Sequence, residues 1–489
     1  MTKVNIRFNA AICKIEGLNS DIVEAIKYRL KVDITEERYQ DYKSKTRLPI
    51  TKEGVNYYLV EEFDKHIQIP TGLLLKLVNY LKTIKVEYAL YKQIPIADLE
   101  KKPYISLREE QQLAINKFLT NKRGIIKAPT SWGKSRTIAE LCRQFNNFTK
   151  ILILVPTVLL LYQMQEDIAN YISMAKEDIG LVGDGNKISS NNITIAIPDT
   201  LAIRLQHLDS EVVRYLQSVN VVIFDEVDTH QNATSLLIGD YLINTEYRIG
   251  LSATPIFDNI SEGFVGSKLY EFTTKNNMDK GDIETPEVIF HNVNKTIDLP
   301  PKLANFKFTD VKSPKELKLY NQLYDKYICL NPYRNSLAIN YVEQDLEEDR
   351  IILILVNKVG TSGGTVNHAK IIQDLLICKN INFEIIHGKT PNNKYMLEKL
   401  ANKEIPGLIA STGVLSYGVS INSITSMVDL SAGSSARSFV QKKGRALRKG
   451  DKPPRIHDFM DCIYPFNNQS KARLACAIEE YGSENVKVL

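Results

Sequence analysis

Nowhere in its 489 residues does the chain run apolar for the roughly 18 positions that a membrane-spanning helix needs. The opening Met1-Thr-Lys-Val-Asn-Ile-Arg7 lacks the basic-then-apolar order of a secretory signal. Six cysteines (Cys13, Cys142, Cys329, Cys378, Cys462 and Cys476) stand far apart without a C-x-x-C pair, which excludes a zinc ribbon and a disulfide framework. Excess charge is scarce as well. Against 57 Asp and Glu there are 62 Lys and Arg, and the net +5 is too small to mark a nucleic-acid partner by itself. No solenoid period repeats, and no P-D…E-x-K pattern falls on a strand pair, which disfavours a nuclease within the chain. A cytoplasmic, membrane-free globular protein remains, with 44% hydrophobic and 24% charged residues and length for about two to four domains.

Residues 1–102 read as a small α+β unit. Val4 to Phe8 alternates like a strand, Ser20 precedes a helical stripe of Ile22, Val23, Ile26 and Leu30, and a second helix is predicted from Thr71 to Ile84. Beyond it, apolar strand-like runs alternate with helices, the pattern of parallel sheets covered on both faces. Arg123–Ala128, Lys150–Val155, Ile193–Ile197, Val219–Phe224 and Arg248–Leu251 form one series, in residues 103–283. Arg350–Val356, Asn382–Ile386, Ile405–Ala410, Ser426–Leu430 and Arg455–Phe459 form another, in residues 284–489. A Lys-, Tyr- and Asn-rich insertion near residues 291–349 reads as mainly helical. The predicted class is α/β, with two tandem doubly wound parallel-sheet domains after a small α+β one.

Ala128-Pro129-Thr130-Ser131-Trp132-Gly133-Lys134-Ser135 lies between the buried run Gly124 to Lys127 and the helix-like Arg136 to Phe145. Strand, loop, helix is the context that a phosphate-binding loop requires. Backbone N–H groups and the helix N-terminus then surround the β- and γ-phosphates, Lys134 neutralises them, and the Ser135 hydroxyl ligates Mg²⁺. About ninety residues on, Val221-Val-Ile-Phe224 ends in Asp225-Glu226-Val227-Asp228-Thr229-His230. Two adjacent carboxylates thus stand at the carboxyl edge of a sheet, where α/β proteins bind ligands. Asp225 is assigned to Mg²⁺ through water, and Glu226 to the attacking water. ATP and Mg²⁺ are the expected cofactors.

From Pro103 to about Asp461, these elements and their order resemble the superfamily 2 helicases and translocases. Leu107-Arg108-Glu-Glu-Gln111 is similar to the Q motif, Pro156-Thr157 with Leu160 and Gln163 to motif Ia, and Ser252-Ala253-Thr254-Pro255 to motif III. Ser411-Thr412 through Ser416-Tyr417-Gly418-Val419-Ser420 is similar to motif V, and Gln441-Lys-Lys-Gly444-Arg445-Ala-Leu-Arg448 to motif VI. The resemblance implies two RecA-like domains, with adenine read by Gln111 beside Arg108 and Gly418 at the nucleotide. It also implies an arginine finger at Arg448, joined by Arg445 and Gln441, and a nucleic-acid strand held by its phosphates at Pro156, Thr157, Thr200 and Thr412.

Three positions depart from the family pattern. Asp228 stands where many branch-remodelling relatives have His, so coupling to motif VI falls to Asp228 or His230, with Ser252 and Thr254 in motif III. Ser131 replaces a loop glycine, and Ser420 stands where motif V often has Asp.

Arg248-Ile-Gly-Leu-Ser-Ala-Thr-Pro255 and Val414 to Ile421 are most similar to phage helicases of the UvsW type, which migrate junctions, regress forks and dismantle R-loops and D-loops. The resemblance implies a monomeric, DNA-stimulated ATP hydrolase that moves 3′ to 5′ and remodels branched DNA in phage replication, recombination or repair. An RNA helicase and the motor subunit of a restriction system are the alternatives. Tyr42-Lys43-Ser44-Lys45-Thr46-Arg47 is a candidate grip for duplex phosphates, and a strand-separating hairpin is expected within His291 to Phe308.

Overall fold

The computed structural model describes residues 3–95, 97, 99–129, 132–187, 191–230, 232–281, 283–293, 314–360, 366–387, 393–412, 424–433 and 452–489. The chain divides into two compact units, Met1–Ala128 with Gly133–Phe272, and Pro129–Trp132 with Thr273–Leu489. Among the described residues no helix is long and apolar enough to cross a membrane.

The first unit opens with β1 (Val4–Phe8), β2 (Ile12–Glu16), β3 (Lys31–Val32), β4 (Thr51–Glu53), β5 (Asn56–Tyr58), β6 (Glu61–Phe63), β7 (His66–Pro70) and β8 (Tyr88–Lys92). Five of them form a mixed sheet in the order β6-β7-β2-β1-β8, and β3-β5-β4 form a smaller antiparallel one. Period-two burial sets the inner face: Val4, Ile6, Cys13, Ile15, Ile67 and Ile69 are buried, while Arg7, Lys14 and Gln68 alternate outward. Helices α1 (Ser20–Arg29) and α3 (Leu74–Thr83) contribute Val23, Ile26, Leu77 and Leu81 to the same core; α2 (Glu36–Lys45) lies between them in sequence. Asn19 caps α1 by accepting a hydrogen bond from the Ile22 N–H at 2.9 Å.

A seven-stranded sheet follows, built from β9 (Arg123–Lys127), β10 (Ile151–Leu154), β11 (Ile179–Val182), β12 (Ile193–Ala196), β13 (Val221–Asp225), β14 (Tyr247–Ser252) and β15 (Lys268–Glu271). Its order is β11-β12-β10-β13-β14-β9-β15 and every neighbouring pair is parallel. The crossovers include α4 (Glu109–Asn121), α5 (Lys134–Arg143), α6 (Val158–Ile172), α7 (Pro198–Gln206), α8 (Ser210–Ser218), α9 (Ala233–Tyr241) and α10 (Asn259–Phe264). The strand order matters for the site, because β14 lies between β9 and β13. Register pairs Ser252 with Lys127 and Leu251 with Asp225, so three carboxyl ends finish side by side.

The N-terminal sheet does not keep a core to itself. One hydrophobic cluster runs from Val4, Ile6 and Leu81 through Leu152 and Phe224 to Phe264 and Val265. Arg123 fastens the seam by donating to the carbonyls of Ala10 (2.6 Å), Phe264 (3.2 Å) and Val265 (3.3 Å). The sequence pattern of residues 1–102 shows local periodicity; packing makes those residues a flank of the first parallel sheet.

The second unit repeats the parallel architecture with β16 (Glu287–Asn292), β17 (Ile352–Val356), β18 (Glu384–Ile386), β19 (Gly407–Ser411), β20 (Ser426–Asp429), β21 (Arg455–Met460) and β22 (Val486–Val488). Their order is β18-β19-β17-β20-β21-β16-β22. Along β17, Ile352 and Ile354 belong to one core while Leu353 and Leu355 belong to another, as a strand covered on both faces requires. Among the described residues its helices are α11 (Thr274–Asp279), α12 (Pro314–Tyr324), α13 (Pro332–Glu347), α14 (His368–Ile377), α15 (Asn393–Ala401) and α16 (Phe466–Tyr481). The helical reading of the insertion holds for α12 and α13; most of the segment expected to hold the strand-separating hairpin, from residue 294 onward, lies outside the described residues.

Candidate nucleotide and nucleic-acid site

At the edge where β9, β13 and β14 end, Lys134 starts α5 and its Nζ lies 2.6 Å from Glu226 Oε1. Both ends of this pair are largely shielded from solvent, Lys134 being 8% exposed. Asp225 is 7% exposed; burial followed by the charge of Glu226 pushes its carboxyl up to about 7, against the weaker opposing pull of the Lys134 charge. A carboxylate held in that state takes up a proton near neutrality or a cation in its place. Ser135 sits one residue along α5, and its hydroxyl bonds the Asp167 carboxylate on α6, whose own pKa burial raises. A serine oxygen that donates to one carboxylate keeps lone pairs for a cation. Hard oxygen donors at Ser135 and Asp225 fit Mg²⁺ by their chemistry.

Gly133 precedes the lysine with φ +85°, and a Cβ there would meet Gln111 Nε2 at 2.9 Å. Left-handed backbone and a close neighbour together require glycine at this point. Gln111, buried, also accepts from its own chain: the Arg108 N–H donates to Gln111 Oε1 at 3.0 Å. Arg108 Nε pairs with Glu110 at 3.1 Å. The predicted adenine-reading pair thus stands at the start of α4 with its glutamine against the phosphate loop. Ala128 donates its N–H to the Ser252 carbonyl (2.9 Å), Trp132 donates its N–H to the Pro129 carbonyl (3.1 Å), and both Pro129 and Trp132 are buried. Thr130 and Ser131 lie outside the described residues.

Behind the acids, motif III reaches motif II directly. Ser252 Oγ lies 2.8 Å from Asp228 Oδ1 and 3.2 Å from Glu226 Oε2, and Thr254 donates its hydroxyl to Asp228 Oδ2 at 3.3 Å. Asp228 is thus hydrogen-bonded to both hydroxyl side chains of Ser252-Ala253-Thr254. Its expected partner in motif VI cannot be placed, because Gln441, Arg445 and Arg448 lie outside the described residues, as does Gly418. His230 is buried beneath the same turn, with Nε2 2.9 Å from the Asp225 carbonyl oxygen and Nδ1 3.3 Å from Ser235 Oγ.

The expected strand-holding residues fall at carboxyl ends of strands. Pro156 and Thr157 follow β10, and Thr157 caps α6 by accepting from the Leu160 N–H at 3.3 Å, which leaves its O–H free to donate. Thr200, in the first turn of α7, is half-buried. In the second unit Thr412 follows β19 and donates to Asn357 Oδ1 at 2.8 Å, while Asn357 donates to the Ser431 carbonyl at 2.7 Å. Tyr324 donates to that same carbonyl at 2.6 Å. Asn357, Ser431, Tyr324 and Asp167 are the site residues that sequence reasoning missed; a polar residue directly after a fully buried strand was the available signal for Asn357.

The basic cluster of α2 is engaged inside its own unit. Tyr42 is buried, Lys45 pairs with Asp41, Lys43 lies 3.4 Å from Glu61, and the Arg47 guanidinium stands 5.3 Å from the Tyr241 ring centroid.

The profile of the type III restriction enzyme res subunit matches residues 104–257, and that of the helicase conserved C-terminal domain matches residues 336–450. The chain belongs to the superfamily 2 helicases. As a member of that family it is an ATP-driven enzyme. It is similar to the DNA 3′-5′ translocase XPB2 of Sulfurisphaera tokodaii, 25% identical over 399 residues that cover 76% of this chain and 84% of that protein. The ATP-dependent DNA helicase uvsW of Enterobacteria phage T4 is 25% identical over 353 residues, 69% of this chain and 65% of the phage protein. The ATP-dependent RNA helicase DBP6 of Kluyveromyces lactis is 23% identical over 440 residues, 83% of this chain and 64% of its own length.

Proposed function

We propose that the chain is an ATP-dependent DNA helicase and translocase that unwinds and remodels branched DNA. The observation that carries the reading is the ion pair at 2.6 Å that joins Lys134 to Glu226, about ninety residues apart in sequence, beside the buried carboxyl of Asp225 at one sheet edge. Lys134 is the group for the γ-phosphate, and its move from Glu226 to that anion frees Glu226 to hold and deprotonate water. Ser135 and Asp225 would hold Mg²⁺, which supplies charge neutralisation at the β- and γ-phosphates. Arg448, with Arg445, is assigned as the arginine finger of motif VI, which stabilises the charge that develops on the transferred phosphoryl group.

Similarity to XPB2 and uvsW supports DNA as the track, and similarity to the 3′-5′ translocase XPB2 supports that direction. Thr157, Thr200 and Thr412 are assigned to the strand phosphates, which gives salt-dependent, sequence-independent grip. RNA is the second reading, favoured by the match to DBP6, because phosphate contacts do not choose the sugar. Strand displacement on forked DNA, a four-way DNA junction, a DNA–RNA hybrid and an RNA duplex decides between them. Forks and junctions resolved only with ATP are expected; displacement confined to the RNA duplex overturns the substrate.

A further inference from the structure

We infer that His230 is a positioning residue that fixes the peptide between Asp225 and Glu226, an inference that rests on the nucleotide site proposed above. The ring is 1% exposed and stands edge-on to Phe224, with ring centroids 5.6 Å apart. Its Nε2 lies 2.9 Å from the Asp225 carbonyl oxygen. A carbonyl oxygen only accepts, so Nε2 carries the proton in this bond. In the neutral ring Nδ1 is then an acceptor, and Ser235 at the start of α9 supplies the hydroxyl at 3.3 Å. The tautomer is thereby set by the protein on both sides.

The carbonyl that His230 holds is the last of β13, at the point where the chain leaves the sheet. Glu226 follows with φ +52°, a left-handed conformation that a glutamate adopts only when its surroundings impose it. From the other side, the Thr229 N–H and hydroxyl both donate to the Glu226 carbonyl at 2.8 Å. The two carbonyls of the acidic pair are therefore each pinned, one by His230 and one by Thr229. With both peptide planes fixed, the two carboxylates take different partners: Glu226 reaches Lys134 and Ser252, and Asp225 accepts from the Glu226 N–H at the sheet edge. Loss of the imidazole donor frees the first of these planes and lets the carboxylate aimed at the cation drift.

Two full-length variants separate this role from bulk packing. His230→Phe keeps a flat ring against Phe224 and removes the donor, whereas His230→Gln restores an amide N–H near the position of Nε2. Steady-state ATP hydrolysis with a single-stranded DNA oligonucleotide is followed while Mg²⁺ is titrated at fixed ATP, alongside the affinity for the oligonucleotide without ATP. For His230→Phe the expected result is a kcat lower by about tenfold and a half-saturating Mg²⁺ concentration higher by about tenfold, the scale of lost partners behind metal ligands, with oligonucleotide affinity unchanged. His230→Gln is expected to recover most of both. Wild-type kcat and Mg²⁺ dependence in His230→Phe, or a His230→Gln variant as impaired as His230→Phe, overturns the inference. Failure of the site itself reads differently: Asp225→Asn then hydrolyses ATP as fast as the wild type.

Discussion

Lys134 and Glu226 neutralise one another, while Asp225, one residue away, carries the raised pKa. Glu226 is the second-ranked cause of that shift after burial, so the two acids are linked through charge. Glu226→Gln is therefore expected to move two observables. Turnover falls by about 10² to 10⁴, the usual contribution of a positioned base. The pH midpoint of Mg²⁺ binding in the presence of a non-hydrolysable ATP analogue shifts downward, because the Asp225 carboxyl loses a like-charged neighbour and ionises more readily. Wild-type turnover, or an unshifted pH midpoint, contradicts this assignment of roles.

At this scale the sequence was informative wherever chemistry demands fixed spacing. Ala128 to Ser135 and Asp225 to His230 stand out because a strand, a tight turn and a helix must follow one another. Asp167 left no such trace, since it meets Ser135 only through the packing of α6 on α5. The place of His230 was equally illegible: its partner is a backbone carbonyl, which carries no residue identity.

Among the elements, the central strands of both parallel sheets were legible as unbroken apolar runs. The edges were harder. β15 is exposed at both ends and β22 has no buried residue, so neither shows a pattern, and Gly180 interrupts β11. The docking of the N-terminal flank was invisible too, because it depends on close approach: a Cβ on Gly72 would stand 1.9 Å from the Glu262 carbonyl oxygen on α10. α10 follows Ser252-Ala-Thr254 directly, so this seam borders the nucleotide site in sequence. Gly72→Ala is expected to cost about 1–3 kcal/mol, the range for overpacking, and to lower the melting temperature of the N-terminal flank and the first parallel sheet together. Separate transitions for the two, seen by hydrogen exchange at β1 and β13, contradict their single core.

Over the whole molecule, buried bases and a buried acid carry opposite pH responses. In the second unit His368 is lowered to about 3, first by burial and then by Arg334, and His291 is likewise lowered to about 3, by burial and His457. A base whose folded pKa lies below its unfolded one stabilises above the unfolded value near 6.5 and loses that stability as pH falls toward 3. At pH 5 the loss from His368 alone is about 2 kcal/mol. Asp225 in the first unit, raised to about 7, works the other way, being easier to bury as pH falls from 7 to 4. Exchange protection of β17 and β20 is expected to weaken between pH 7.5 and pH 5, and substituting His368→Asn to flatten the change. Protection independent of pH across that window contradicts it.

The central claim is that ATP turnover at the Lys134 edge is driven by a nucleic-acid track, and steady-state ATP hydrolysis measures it most directly. Rates are compared without nucleic acid and with single-stranded DNA, forked DNA, a four-way junction and structured RNA, using Lys134→Ala as the blank. Hydrolysis that rises most with forks or junctions and vanishes in Lys134→Ala is expected. A rate indifferent to every nucleic acid, or one that survives Lys134→Ala, contradicts the claim.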